Sequence, residues 1–388
     1  MPDEDDLNQT MGSKKLVLIV ICLLTVAAVL PAIFHWHAHA SAHGIGRSIR
    51  IALANLLALS ICFVIYRVER RRLNVKNALA LVFLIFLLTT LVNFLHKVIV
   101  DYGKNHFPTS TNLQWQVRMQ DAAINLNPYA LPHSYRFLPN SIVRWMEIGG
   151  LDFEASRNLY RLYAGLLLFY ALFRFAELYT CDLGAVVSML MTAVIFPVSF
   201  VHYAGQLTDP LSHLSFLLCF IFLQTEDFEL FLLAMLVGAL AKETVLAMAG
   251  YYVVFHRKEE NYLPKSVIAC VTALSVYFGV RLLVLGGHMG YRQISGPAFS
   301  HVFENWNLVE WRWLFLLTGG ALLPFLLLGW KTTPRHLKQL TFYLLPVLLI
   351  SSLFFSWLVE VRNFMPLVFV LSVVTGKFLA EKLAAPET

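Results

Sequence analysis

The sequence predicts an all-α polytopic membrane protein of about 11–12 transmembrane segments with a large outward-facing cap loop, and three observations predict it. Only 14% of the 388 residues are charged, against roughly a quarter in a soluble domain. Apolar residues make up 58% and mean hydropathy is +0.65, more than a buried core can absorb. Apolar runs close to the roughly 20 residues that cross about 30 Å of hydrocarbon recur along the whole chain. The net charge of +6 comes without a basic, aromatic-interleaved polar domain, so no nucleic-acid partner is expected and the surrounding partner is membrane lipid. The five cysteines (Cys22, Cys62, Cys181, Cys219, Cys270) lie within or at the edges of apolar runs and form neither a disulfide framework nor a zinc pattern.

Runs of spanning length cover 16–34, 48–66, 77–99, 159–180, 183–203, 265–286, 310–330, 339–358 and 363–384. The run 210–225 is shorter, and 230–255 is interrupted by Lys242-Glu243. Lys14-Lys15, the first run and Ala40-Ser41-Ala42 resemble a secretory signal, but the run is longer than the usual 7–15 residues, and an uncleaved anchor is expected. Between the second and third spans Arg67, Arg70, Arg71, Arg72 and Lys76 mark a cytoplasmic loop. With that anchor, Lys14-Lys15, Arg174, Arg257-Lys258-Lys265, Lys331-Arg335-Lys338 and Lys377-Lys382 also fall inside, provided 230–255 enters and leaves as two segments. The parity therefore predicts a break at Lys242-Glu243, as a re-entrant pair or two short spans, and puts both termini in the cytoplasm. Two loops face outward: 100–158, rich in aromatics and turn residues and read as a cap with short amphipathic helices, and 287–309.

Ionisable groups within or at the mouths of spans are costly unless paired or hydrated, so they mark candidate sites. Asp209, before Pro210, and His213 are four apart, which lets the histidine point back toward the aspartate at a helix cap. That pair reads equally as a cap and as a substrate-positioning group. Lys242 and Glu243 are adjacent, point about 100° apart on a helix, and each need a separate partner in a cavity. Arg281 and Arg362, at outer ends of spans, read singly as interfacial anchors, but with Arg136 and Arg144 they supply several guanidinium forks suited to phosphate. His35, His37, His39 and His43 flank Trp36 and read as an interfacial flank rather than a metal site. No solenoid or propeller repeat is evident.

In order, these features resemble the GT-C superfamily of integral membrane glycosyltransferases, over about residues 77–384. An outer loop with Asp101 and Asp121 leads to Asn127-Pro128-Tyr129 and to Tyr135-Arg136-Phe137-Leu138-Pro139, the last similar to the family's "Y-x-P-L-x-P" segment. Thr208-Asp209-Pro210-Leu211 and Ala241-Lys242-Glu243-Thr244 resemble its "TD…(T)(K/R)E" pairing, and Glu360-Val361-Arg362-Asn363-Phe364-Met365-Pro366 its arginine segment before the last helix. Two spans precede the matching one, and the adjacent acidic pair common in that loop is missing, so Asp101 and Asp121 compete for one role. The division is then 1–76, a tail with two extra helices, and 77–388, the GT-C-like unit.

The resemblance implies mannosyltransferase-like, inverting transfer of a sugar from a polyprenyl-phosphate donor to a glycan, lipid or protein acceptor of the cell envelope. The active site is then on the outer face of a membrane, with a bacterial inner membrane suited by the basic inside loops. Such transfer needs a carboxylate to take the acceptor's proton and positive charge to stabilise the leaving phosphate. Asp101, fixed by the end of a span, is the first expectation for the base and Asp121 the alternative. Arg136, Lys242, Arg281 and Arg362 are expected at the donor phosphate, and Asp209, His213 and Glu243 as substrate-positioning groups. No cofactor is required, and a divalent metal is left open. The competing class is a polytopic transporter or lipid flippase, which shares the buried charges, although no matching halves with interrupted helices are visible.

Overall fold

The computed structural model describes residues 45–101, 112–125, 127, 133–201, 207–284 and 298–384. The run 16–34 and the histidines 35–43 lie outside them. Every regular element among the described residues is helical. Among the described residues seven helical stretches are long and apolar enough to cross a membrane: Val75–Val100, Phe153–Glu177, Asp182–Phe200, Tyr262–Leu282, Glu310–Leu328, Arg335–Phe355 and Val361–Leu383. The chain is a polytopic membrane protein, all-helical in its described residues.

Helix α1 (Ile45–Glu69) is followed by α2 (Val75–His96), which starts where the Asn74 side chain accepts from Asn77 N at 2.9 Å and ends in a π-turn, Lys97–Asp101. The expected cap contains α3 (Asn112–Ile124), a 3-10 turn at His133–Tyr135 and α4 (Phe137–Ile148). Helix α5 spans Phe153–Glu177, six residues earlier than the apolar run at 159 suggested. Asp152 caps it, accepting from Ala155 N at 2.8 Å, and its polar first turns are shielded by the cap, where Arg157 donates to Gln116 of α3 at 2.8 Å. Then come α6 (Asp182–Ile195, with a 3-10 turn Phe196–Phe200), α7 (Thr208–Gln224) and α8 (Phe228–Ala241).

The break falls where parity required it. Lys242 adopts extended backbone (φ −160°, ψ 121°), a 3-10 turn covers Glu243–Leu246, and α9 is only Ala247–Phe255. The remaining helices are α10 (Tyr262–Gly279, extended by a π-turn at Val280–Val284), α11 (Ala298–Asn307, inside the second expected loop), α12 (Glu310–Phe315), α13 (Ala321–Leu328), α14 (Arg335–Phe355) and α15 (Met365–Ala384).

Helices α5, α7 and α15 form the core, with most of their residues buried, while α2 and α10 present leucines and phenylalanines outward, as lipid-facing helices do. Close helix approach depends on small residues. A Cβ on Gly376 of α15 would meet the Gly184 carbonyl oxygen of α6 at 2.3 Å, and one on Gly238 of α8 would meet Ser215 Cβ of α7 at 2.6 Å.

The predicted basic loops meet at one end of the bundle. Arg72 pairs with Glu177 at 3.1 Å and Arg174 with Glu69 at 3.4 Å, joining the ends of α1 and α5. Tyr179 bonds His336 in the first turn of α14 and donates to Gln224 at 3.0 Å, while Tyr251 of α9 packs edge-on against His336. Both outer flanks of the broken stretch therefore sit at this basic end, and Lys242-Glu243 lies at the other. The 14 residues of α8 rise about 21 Å, short of a roughly 30 Å hydrocarbon core.

Candidate functional site

Where α8 breaks, six side chains from three separate parts of the chain close into one hydrogen-bonded ring. Asp209, in the first turn of α7, accepts Lys242 Nζ at 3.0 Å on Oδ1 and Arg362 Nη1 at 2.7 Å on Oδ2. Arg362 Nη2 reaches Glu360 Oε2 at 3.1 Å, and the Ser356 hydroxyl donates to the same oxygen at 2.8 Å. Asn363 Nδ2 donates to Ser356 Oγ at 3.2 Å, and its Oδ1 accepts Lys242 Nζ at 2.7 Å. Donors and acceptors alternate without conflict around the circuit, which is the condition for a buried polar network to rigidify its surroundings.

The local backbone explains how the ring forms. The extended Lys242 turns its side chain out of the helical path toward Asp209, and the 3-10 turn Val361–Phe364 presents Arg362 and Asn363 on neighbouring positions. Asn305 of α11 holds the third segment in place. Fully buried, it donates to the carbonyls of Ser352, Leu353 and Ser356 at 2.9, 3.3 and 2.8 Å and accepts Leu358 N at 2.6 Å. It thereby satisfies the orphan carbonyls at the end of α14 and fixes the turn carrying Glu360.

The ring borders a cavity of about 480 Å³, within the roughly 300–1,000 Å³ of small-molecule sites. Arg136, Lys242, Arg281 and Arg362, the four expected phosphate-binding residues, all line it, and each is more than nine-tenths buried. Glu243 lines it as well, held bidentately by Arg136 at 2.8 and 3.1 Å. The adjacent Lys242 and Glu243 thus each have a separate partner, as their angular separation demands.

Arg281 is not an interfacial anchor. Its guanidinium carbon lies 3.5 Å from the Tyr277 ring centroid and 3.9 Å from that of Tyr135, and Nη1 donates to the Tyr277 carbonyl at 3.1 Å. Its Nε–H is buried without a hydrogen-bond partner. The π-turn Val280–Val284 carries this residue into the clamp, and such turns frequently occur at functional sites.

Four cations face three carboxylates here (Asp209, Glu243, Glu360), leaving one net positive charge. Arg281 is the cation without a carboxylate among the described ion pairs. Burial alone pushes the Glu360 carboxyl up, but Arg362, with the Ser356 hydroxyl and Lys242, outweighs it and holds the group below the usual carboxylate range.

Other expected residues are placed elsewhere. His213 does not bond Asp209 through an i,i+4 contact. Its Nε2–H donates to the Arg362 carbonyl at 3.2 Å, and its ring packs edge-on between Phe196 and Phe369. Asp209 and His213 border a separate pocket of about 20 Å³ behind the ring, so they are supports of the site rather than part of the cavity lining. Arg144 pairs with Glu147 at 3.0 Å on the exposed side of α4. Asp121 is exposed on α3 and is not among the lining residues. Asp101 ends the π-turn after α2, and its side chain lies outside the described residues. Among the described residues the carboxylates lining the cavity are Glu243 and Glu360, and no cluster of three His, Cys, Asp or Glu side chains is arranged to hold a metal.

Sequence reasoning missed Ser356, Asn363, Asn305 and the clamping tyrosines Tyr135 and Tyr277. Asn363 stands inside the motif quoted for Arg362, which is the one signal that pointed to it. Comparison with protein-family models, with curated proteins and with solved structures finds no match for this chain.

Proposed function

We propose that this chain is an integral membrane glycosyltransferase of the GT-C type, transferring a sugar from a polyprenyl-phosphate donor to a glycan, lipid or protein acceptor with inversion. The observation that carries the reading is the cavity at the break after α8, where four buried cations converge and one, Arg281, has no carboxylate partner among the described residues. A preorganised cationic site with one surplus charge suits a phosphodiester, whose leaving oxygen gains charge as the sugar–phosphate bond breaks. In that reaction an acceptor hydroxyl attacks the anomeric carbon, the glycosidic C–O bond to phosphate breaks, and its electron pair leaves with the phosphate. The acceptor's proton passes to a carboxylate, for which Asp101 is the first assignment and Asp121 the second. Arg136, Lys242, Arg281 and Arg362 hold the phosphate in this reading, and Asp209 and His213 act from behind by fixing Lys242 and Arg362.

The same reading includes about twelve membrane segments, cytoplasmic termini and a catalytic face on the outside of a bacterial inner membrane. Its test is transfer from radiolabelled polyprenyl-phosphate sugars by the purified protein, beside Asp101→Asn and Asp121→Asn. Turnover by the wild type, abolished by one of these variants, supports it, and full activity in both removes the base assignment. A transporter or flippase of anionic lipids is the second reading, favoured by the helix interrupted beside a charged cavity. Protein that moves such a lipid across a vesicle membrane without turning it over would establish that reading instead.

A further inference from the structure

The ring at the break leaves two valences pointing to different chemistry. Lys242 has three N–H bonds, and the described structure uses two, on Asp209 and Asn363. Glu360 uses Oε2 for both Ser356 and Arg362, and Oε1 carries no hydrogen bond among the described residues. Both residues line the same cavity, as do Ser351 and Thr244, whose hydroxyls also carry none there. One surface thus offers an ammonium donor suited to an anion. It also offers a fixed carboxylate oxygen and, on the same cavity wall, neutral hydroxyls, suited to a partner with several O–H groups.

A carboxylate oxygen in a cavity that binds anions would repel a bare phosphate, so its presence needs a neutral, hydroxyl-bearing part of the ligand. We propose that Glu360, with Ser351 and Thr244, forms the subsite that recognises the hydroxyls of the glycosyl group while the cations hold its phosphate. The inference rests on the proposed donor class and assigns which residues read the sugar. Glu360 is oriented for this by the ring. Arg362 and Ser356 both donate to Oε2 and leave Oε1 as the acceptor.

Glu360→Gln tests the assignment with a defined chemical change. The ring still demands an acceptor toward Arg362 and Ser356, so the amide oxygen takes that place and the NH₂ faces the cavity, turning an acceptor into a donor. Equilibrium binding is measured without acceptor, so that a general-base role moves nothing. The probes are a bare polyprenyl phosphate and polyprenyl phosphates carrying mannose, glucose, galactose or N-acetylglucosamine.

The wild type is expected to bind one glycosylated lipid about tenfold or more tightly than the bare one. Glu360→Gln should lose that advantage while binding the bare lipid as well as the wild type or better. Ser351→Ala, which leaves the ring intact, should reduce the advantage severalfold. An advantage retained in Glu360→Gln, or an equal loss for bare and glycosylated lipids, overturns the proposal, and so does a wild type that binds the bare lipid but prefers none of the sugars. A wild type that binds none of the polyprenyl phosphates overturns the donor class itself, which separates the two failures.

Discussion

Asp209→Asn is the sharpest perturbation of the ring. Asp209 is 5% exposed and alone serves two buried cations, so its neutralisation leaves Lys242 with the neutral Asn363 and Arg362 with Glu360. Removing one partner of a buried ion pair typically costs about 3–5 kcal/mol, because the remaining charge is left uncompensated. Lys242→Met is milder, since Asp209 keeps Arg362 at 2.7 Å, and about 1–3 kcal/mol is expected. The double variant removes one charge of each sign and should cost less than the sum of the two, with a coupling of about 1–3 kcal/mol. The assay is equilibrium unfolding in mixed micelles for the four proteins of the cycle. An Asp209→Asn protein within about 1 kcal/mol of wild type, or strictly additive costs, would refute the view that the ring is a single buried electrostatic unit.

Three further outcomes follow from neighbouring features. Asn305→Ala removes four hydrogen bonds that hold the end of α14 and should cost about 2–3 kcal/mol, read by the same unfolding assay, with Asn305→Asp no better because it lacks the donors. Gly238→Ala drives a Cβ to 2.6 Å from Ser215 Cβ and 2.8 Å from Val245 Cγ1, so overpacking of about 1–3 kcal/mol is expected, measured as a lower unfolding midpoint. The Glu360 carboxyl is held below its ordinary value of about 4.3, so its stabilising contribution is present above that value and is lost as pH falls through the lower folded value. Unfolding measured between pH 6 and about pH 3 should show a steeper acid loss in wild type than in Glu360→Gln, and parallel curves would contradict the assignment.

The break after α8 was legible because charge and parity agreed. Lys242-Glu243 interrupts an apolar run, and only a turn there keeps the later basic loops on the side of Arg67–Arg72. The four cations were legible as a set because ionisable groups are rare in such a chain, and Arg136, Lys242, Arg281 and Arg362 do share one cavity. The partnerships were not legible. Asp209 was read with His213, its neighbour along the helix, whereas its carboxylate goes to residues 33 and 153 positions away. Ser356, Asn363 and Asn305 are small polar residues without periodicity, and their roles arise only when α11, α14 and α15 meet. The start of α5 is not legible in the apolar pattern because Arg157 interrupts it, and the Gln116 oxygen that satisfies this arginine stands 41 positions earlier.

In the proposed function the break after α8 builds a cationic cavity for a phosphate-bearing lipid. Its most direct test is equilibrium binding of a bare polyprenyl phosphate to wild type, Lys242→Met, Arg281→Met and Arg312→Met, the last a cation beside Trp311 that is not among the cavity-lining residues. Binding at least about tenfold weaker is expected for Lys242→Met and Arg281→Met, and wild-type affinity for Arg312→Met. Equal binding by all four proteins would contradict it.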